Sequence, residues 1–353
     1  MIMKKYLLAV AAAAAAMTAS AQDPVAISMA TNIYSYYGAS NHFSLVLGAT
    51  EPTYVDVDCG FGTVEYLVEP AVWDPETESV KGTVVSCQVN PDAKVTIYGD
   101  ASKIDYLDAE GCYLSSIDLG DCVNLDVLNL QHNELQALDL SKYTKLSSIY
   151  LTDNPFTAAT PLVVGKNHPN LMILEVDIID HISPDFDIDT YPELISFDAY
   201  ATKSLSKLTP SGCPKLARLS VDMCAVSDLD VTKNHELLVL NIEDTRIRSI
   251  DLSGCPKLQQ FYCRNASGSV NTDVKISSLD LSHNPALTYL SAGSNLLTSL
   301  DLSKNPALTF INVCYNNLAS INLDGITETS TLNLTGNRFG FSTLPLPSEA
   351  YGD

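Results

Sequence analysis

LTYLSAGSNLLTSLDLSKNPA, residues 287–307, and LTFINVCYNNLASINLDGITE, residues 308–328, superimpose without a gap at a spacing of 21. Both read LxxLxLxxNxL followed by a second half of the form xxLDLSxNPx. Within LxLx, alternation of period two sends one set of side chains inward and the other onto the exposed face of a strand. One such coil cannot bury its own leucines, so it must stack on a neighbour, and the stack needs covers at its ends. The inward set of the first segment is Leu287, Leu290, Ala292 and Leu297, joined by Leu300 and Leu302 from the return half. Carried along the chain, the frame places coil starts at Ile104, Leu125, Leu146, Leu171, Leu194, Leu216, Leu237, Leu258, Leu287, Leu308 and Thr329, eleven coils in all.

The ninth place of a coil holds Asn133, Asn154, Asn295, Asn316 or Asn337, where the chain leaves the strand and its backbone groups lose partners. An inward amide there can satisfy a neighbouring coil, which is a structural duty. Thr202, Thr245, Cys112 and Cys224 take that place elsewhere and predict a less regular middle. Asp118, Asp139, Asp230, Asp251, Asp280 and Asp301 recur in the return halves and form an acidic column on the outer side, read as a solvated row. Longer spacings follow Leu146, Leu171, Leu194 and Leu258, and the excess residues map to surface loops. The longest loop, around Ser267 to Lys275, is rich in Ser, Gly and Asn and is expected to be mobile.

The repeat resembles the leucine-rich repeat in its short bacterial form, over about residues 104–342. The chain is similar to secreted bacterial proteins of the 21-residue class, internalin-like and Bacteroidetes-type. That resemblance implies a leucine-rich-repeat solenoid with a parallel sheet on its concave face and an irregular convex side. It also implies recognition of a protein or glycan in adhesion or nutrient capture, although a fold does not fix a ligand.

Residues 1–21 read as a signal peptide. Lys4 and Lys5 precede an apolar run from Tyr6 to Ala16, and Ala19-Ser20-Ala21 offers a cleavage site. The run is too short to span a bilayer, and a secreted or cell-surface protein is expected. The net charge of −22 makes nucleic acid an improbable partner. Residues 22–100 lack the repeat and show short alternating runs such as TYVDVDC, TVEYLVE and KVTIY. They are read as a small β-rich capping domain, with an immunoglobulin-like sandwich as one form, before the solenoid of residues 101–353. Trp73 is read there as a core filler. Of nine cysteines, Cys59 and Cys87 are the pair to test for a disulfide, whereas Cys112, Cys122, Cys213, Cys224 and Cys255 fall at repeat positions and read as packed small residues.

No catalytic constellation emerges, and no enzyme or cofactor is expected. His235-Glu236 opens like a zinc-protease motif, but Val239 stands where the second histidine belongs. Asp185, Asp187 and Asp189 in DFDID space oxygen ligands as a calcium loop begins, without the later Gly and Glu, and are a weak calcium candidate only. The working surface is therefore sought on the sheet, where the third, fifth, seventh and eighth places point outward. These read Tyr150, Thr152 and Asp153; Glu175 and Asp177; Asp198 and Tyr200; Arg218 and Asp222; Glu243 and Asp244; then Tyr262, Arg264, Tyr289, Phe310 and Tyr315. Aromatics and arginine are enriched where proteins dock, because they bury much area with few torsions to freeze. The expected partner is a host or bacterial surface protein, with a glycan, or a spacer role displaying another domain, as alternatives. By the same register Cys314 would be an accessible thiol.

Overall fold

The computed structural model describes residues 24–33, 42–76, 79–90, 94–265, 274–326 and 330–340. Residues 1–21, read above as a signal peptide, most of the Ser267–Lys275 loop and the coil start at Thr329 lie outside the described residues. The chain divides into two compact units, one ending at Leu138 and one beginning at Asp139.

The first unit contains strands β1 (Val25–Thr31), β2 (His42–Ala49), β3 (Thr53–Asp58), β4 (Thr63–Val68), β5 (Val72–Asp74), β6 (Ser79–Lys81), β7 (Thr83–Gln88), β8 (Val95–Tyr98), β9 (Ile104–Asp108), β10 (Leu114–Asp118) and β11 (Val127–Asn129). One antiparallel sheet runs β10-β1-β8-β3-β4. In the other sheet β9 pairs in parallel with β11 and antiparallel with β2, which pairs in turn with β7. Both halves of the first coil are thus continued by strands of reversed direction: β2 lies on β9, and β1 lies on β10. This is the cover the stacked core requires, and it leaves no bare parallel edge at that coil. Alternation in β3 buries Val55 and Val57 and exposes Tyr54. The Cys59–Cys87 disulfide joins the end of β3 to β7, with Cα atoms 6.5 Å apart. Trp73 fills no core. It stands 58% exposed on the β5–β6 hairpin, which belongs to neither sheet.

In the second unit the coils contribute β12 (Ser148–Tyr150), β13 (Ile173–Glu175), β14 (Ser196–Asp198), β15 (Arg218–Ser220), β16 (Val239–Asn241), β17 (Gln260–Tyr262), β18 (Tyr289–Ser291), β20 (Phe310–Asn312) and β22 (Thr331–Asn333). They pair in that order, all parallel. The return halves add a short parallel pair, β19 (Ser299–Asp301) with β21 (Ser320–Asn322). The central residue of most coil strands points inward: Ile149, Leu174, Phe197, Leu219, Leu240, Phe261, Leu290 and Ile311 are all fully buried. Each such side chain contributes roughly 1.5–3 kcal/mol on leaving water, which is why coils that are unstable singly are stable in series.

Two columns of buried donors tie the coils together. In the first, Asn316 accepts the Leu297 N–H at 3.0 Å and donates to the carbonyls of Ala292 (2.9 Å) and Val313 (3.0 Å). Asn295 and Asn337 bond likewise, accepting from Ile276 and Leu318 and donating to Cys263 and Val313. The second column, three residues before each coil start, runs Tyr143, His168, Tyr191, Cys213, Asn234, Cys255, Asn284 and Asn305, all buried. Its asparagines donate to carbonyls of the preceding coil, as from Asn305 to Leu281 and Asn284. Cys213 and Cys255 make the same kind of contact through Sγ, to Ile188 (3.0 Å) and Val231 (3.4 Å). The cysteines at repeat positions are therefore buried free thiols with a bonding role, and burial pushes the Cys213 and Cys255 thiols up to about 12.

Candidate functional site

Because the coil strands are in register, outward side chains form columns across the sheet. The third-place column reads Ser148, Ile173, Ser196, Arg218, Val239, Gln260, Tyr289, Phe310 and Thr331. The fifth-place column reads Tyr150, Glu175, Asp198, Ser220, Asn241, Tyr262, Ser291, Asn312 and Asn333. Just past the strand, the eighth place turns the chain through the left-handed region, with φ from 53° to 59° at Asp153, Ile178, Ala201, Met223, Asp244, Ser294 and Tyr315. That turn carries the seventh-place residue, Asp177 or Asp222 for example, at the margin of the same face.

The middle coils gather the carboxylates. Arg218 pairs with Asp198 through both Nε and an Nη, each 2.9 Å from Oδ2. Asp177 accepts the Tyr200 N–H at 2.6 Å, and Asp222 accepts the Ser220 hydroxyl at 2.9 Å. Glu243 reaches across a whole coil to take the Ser291 hydroxyl at 2.9 Å. Glu175 joins them through its neighbours' charge, and Tyr150 feels Glu175. Partial burial raises the pKa of Glu175, Asp222 and Glu243. Asp177 is pushed up to about 7, by lost hydration first and then by the charge of Asp198 and its other acidic neighbours.

The aromatics form a stack. Tyr289 lies flat on Phe310, with ring centroids 4.1 Å apart and planes 3° from parallel, and Tyr262 covers its other side at 4.8 Å. Both faces of Tyr289 are thereby occupied, and the Tyr262 hydroxyl donates to Gln260 Oε1 at 3.1 Å. Arg264 is exposed and its charge acts on Glu243. Tyr315 stands apart from the stack at 63% exposure, and its ring lies where a Cβ on Gly336 would fall, 2.6 Å from Cδ1. Tyr200 is exposed beside Asp177, while Asp153 and Asp244 sit at the turns.

Cys314 departs from expectation. It is 7% exposed, because Gly293 in the preceding coil leaves room for its sulfur, 3.0 Å from where a Cβ would be. Sequence reading also passed over Ser220 and Asn241, which form the floor between the charged and aromatic parts, and Gln260, Ser291 and Asn312, which share strands with the aromatic rings. The alternation that named their neighbours would have named them too.

On the return side the recurrent aspartates close turns. Asp230, Asp251, Asp280 and Asp301 each accept the backbone N–H two residues on, at 2.9 Å. They stay exposed, and the hydroxyl of that same Thr or Ser, together with its backbone N–H, holds their carboxyls below the usual range. In DFDID, Asp187 accepts the Thr209 N–H at 2.6 Å and faces Lys207 at 3.6 Å. Among the described residues no group of three or more His, Cys, Asp or Glu side chains is arranged to hold a metal ion, and no helix is long and apolar enough to cross a membrane.

No family model matches the chain. No curated protein matches it either. Among solved structures, the functional domain of InlJ from Listeria monocytogenes, which includes a cysteine ladder, superimposes with a TM-score of 0.54 at 23% identity, covering 65% of this chain. The chain spans 53% of that neighbour's length. A leucine-rich-repeat protein of Leptospira interrogans aligns at 17% identity with a TM-score of 0.39, over 62% of this chain and 68% of its own. An internalin C2 from Listeria monocytogenes aligns at 16% identity with a TM-score of 0.34, over 55% of this chain and 88% of its own. Register, buried leucines, asparagine column and the InlJ superposition agree: this chain is folded as a leucine-rich-repeat solenoid.

Proposed function

We propose that the chain is an extracellular protein-binding module that docks a partner, in adhesion or surface capture, on the outward face of its parallel sheet. The observation that carries the reading is the Tyr262–Tyr289–Phe310 stack set beside partly buried carboxylates. Rigid aromatic area next to underhydrated charge is the composition of a surface that gains by being covered. Export is supported by the leader-like residues 1–21 and by the Cys59–Cys87 disulfide, which suits an oxidising compartment. A glycan gains less from this face, because sugars pack on open ring faces and those of Tyr289 are covered.

The test is capture of the chain by immobilised bacterial or host surface extract. Capture is expected to vanish after the extract is treated with protease and to survive periodate oxidation. The Tyr289→Ala/Phe310→Ala variant is expected to lose it while keeping its thermal transition. Periodate-sensitive, protease-resistant capture would make the ligand a glycan, and undiminished capture by the variant would remove the sheet face from the function.

A further inference from the structure

We propose that this face takes a basic segment of a protein partner, seating an arginine or lysine side chain over Ser220 and Asn241, between Asp222 and the Tyr262 ring and within the field of Glu243. The inference rests on the docking reading above and gives it a partner chemistry.

The columns define the seat. Between Asp198 and Tyr262 in the fifth-place column lie only Ser220, which is buried, and Asn241, which is half-buried. Adjacent strands are about 4.8 Å apart, so these two short residues open a gap on the order of 10 Å along the face. Asp222 borders the gap from the seventh place of its coil, while the Glu243 carboxylate extends from the next coil toward Ser291, beside Tyr262 and Tyr289. On the far side stands Tyr262. One face of its ring is against Tyr289 of the following coil, so the other is turned toward Asn241 of the preceding one. A cation in that gap meets the Asp222 carboxylate and an aromatic face, whose quadrupole attracts positive charge, and feels the Glu243 charge beside the same ring.

Charge complementarity is local and does not rest on the acidity of the whole chain. At the outward places of these coils, among the described residues, Glu175, Asp177, Asp198, Asp222, Glu243 and Asp244 outnumber Arg218, which is bound to Asp198, and Arg264, which acts on Glu243. The return-side aspartates are as numerous but fully hydrated and hydrogen-bonded, so they gain little from a cation. On the sheet face two arginines are shared among six partly dehydrated carboxylates, and a partner's cation offsets the negative charge left over. Phosphate-bearing ligands are repelled by the same groups.

Protons are the second signature. Asp177 is faced by Glu175 on its own coil and by Asp198 and Asp222 on the following coils, with the Tyr200 N–H as its one favourable contact among these. A basic partner favours the ionised forms, so binding releases protons and weakens as pH falls through about 7.

The probe is fluorescein-labelled deca-arginine, with deca-glutamate as its counterpart, titrated against the full chain by anisotropy at physiological salt. Two triple variants remove equal charge: Asp177→Asn/Asp222→Asn/Glu243→Gln on the face and Asp251→Asn/Asp280→Asn/Asp301→Asn on the return side, where asparagine keeps the turn bond. The face triple is expected to weaken binding about tenfold and the return-side triple less than about twofold. Between pH 8 and pH 6 the unmodified chain is expected to lose about tenfold in affinity and the face triple to lose little. If the face triple fails to fold, Asp222→Asn alone is expected to cost about threefold. Equal loss in the two triples, comparable binding of deca-glutamate, or a flat pH profile would overturn the inference. Loss of deca-arginine binding selectivity with surface capture still dependent on Tyr289 and Phe310 would leave protein docking standing. Failure of both would remove both.

Discussion

The coils opening at Leu287 and Leu308 and those opening at Leu171, Leu194 and Leu216 share one strand register yet close differently. In the first group an asparagine at the ninth place both accepts and donates, so the turn out of the strand is fully bonded. In the second group the place passes to Ile179, Thr202 and Cys224. Ile179 offers no polar atom, Thr202 one hydroxyl between the Ile179 N–H and the Val176 carbonyl, and Cys224 a sulfur on the Ala199 carbonyl. The carboxylate part of the proposed binding face sits on the less completely bonded coils, and the aromatic stack begins just before the fully bonded ones and runs onto them. Charge and local plasticity coincide at one end, rigidity and apolar area at the other.

That contrast can be broken by substitution. Asn316→Ala strands the buried Leu297 N–H and takes one of two donors from each of the Ala292 and Val313 carbonyls, and is expected to cost roughly 3 kcal/mol, read from urea unfolding. Thr202→Val keeps the shape and removes one donor and one acceptor, for about 2 kcal/mol. If Thr202→Val proves the more damaging, the asparagine closure is not what stiffens the later coils. Ile178 is β-branched and held at φ 54°, a conformation unfavourable to such a residue. Ile178→Asn, half-exposed and free to keep its backbone bond to the Tyr200 carbonyl, is expected to stabilise by about 1 kcal/mol and narrow the gap between the groups. An unchanged unfolding midpoint would mean that the turn carries no strain. The smallest effect is a slope. Below the ordinary aspartate pKa of 3.8, Asp177 is protonated whether folded or not; from there to about 7 the fold keeps a proton that the open chain releases. Its contribution to stability is therefore present at low pH and lost as pH rises through about 7. Asp177→Asn should flatten that decline, and an unaltered slope would assign it to Glu175, Asp222 and Glu243.

Much of this was legible in the residues. The 21-residue frame located the coil strands, the inward leucines and the asparagine column, because those depend on period and on one side chain at a fixed place. What escaped depended on a neighbouring coil. Cys314 is covered because Gly293, a coil earlier, has no side chain. Tyr262 stacks on Tyr289 diagonally, from a fifth place to a third, which a column-by-column reading does not pair. The second donor column hid behind chemical variety, since tyrosine, cysteine and asparagine there share only the ability to donate inward. The return-side aspartates were seen as a row, but their turn bonds come from backbone geometry that a residue list does not contain.

Strand direction at the first coil has a consequence for assembly. A repetitive stack is a one-dimensional lattice, and a bare terminal layer is a template on which a further layer can crystallise. At the start of the repeats that layer is already taken by β2 and β1 running the opposite way, and the outer edges of those two strands are in turn paired with β7 and β8, so no incoming repeat finds a parallel edge there. Growth stops there as a sentence stops at its punctuation, so protection against end-to-end polymerisation is written in the polarity of two strands.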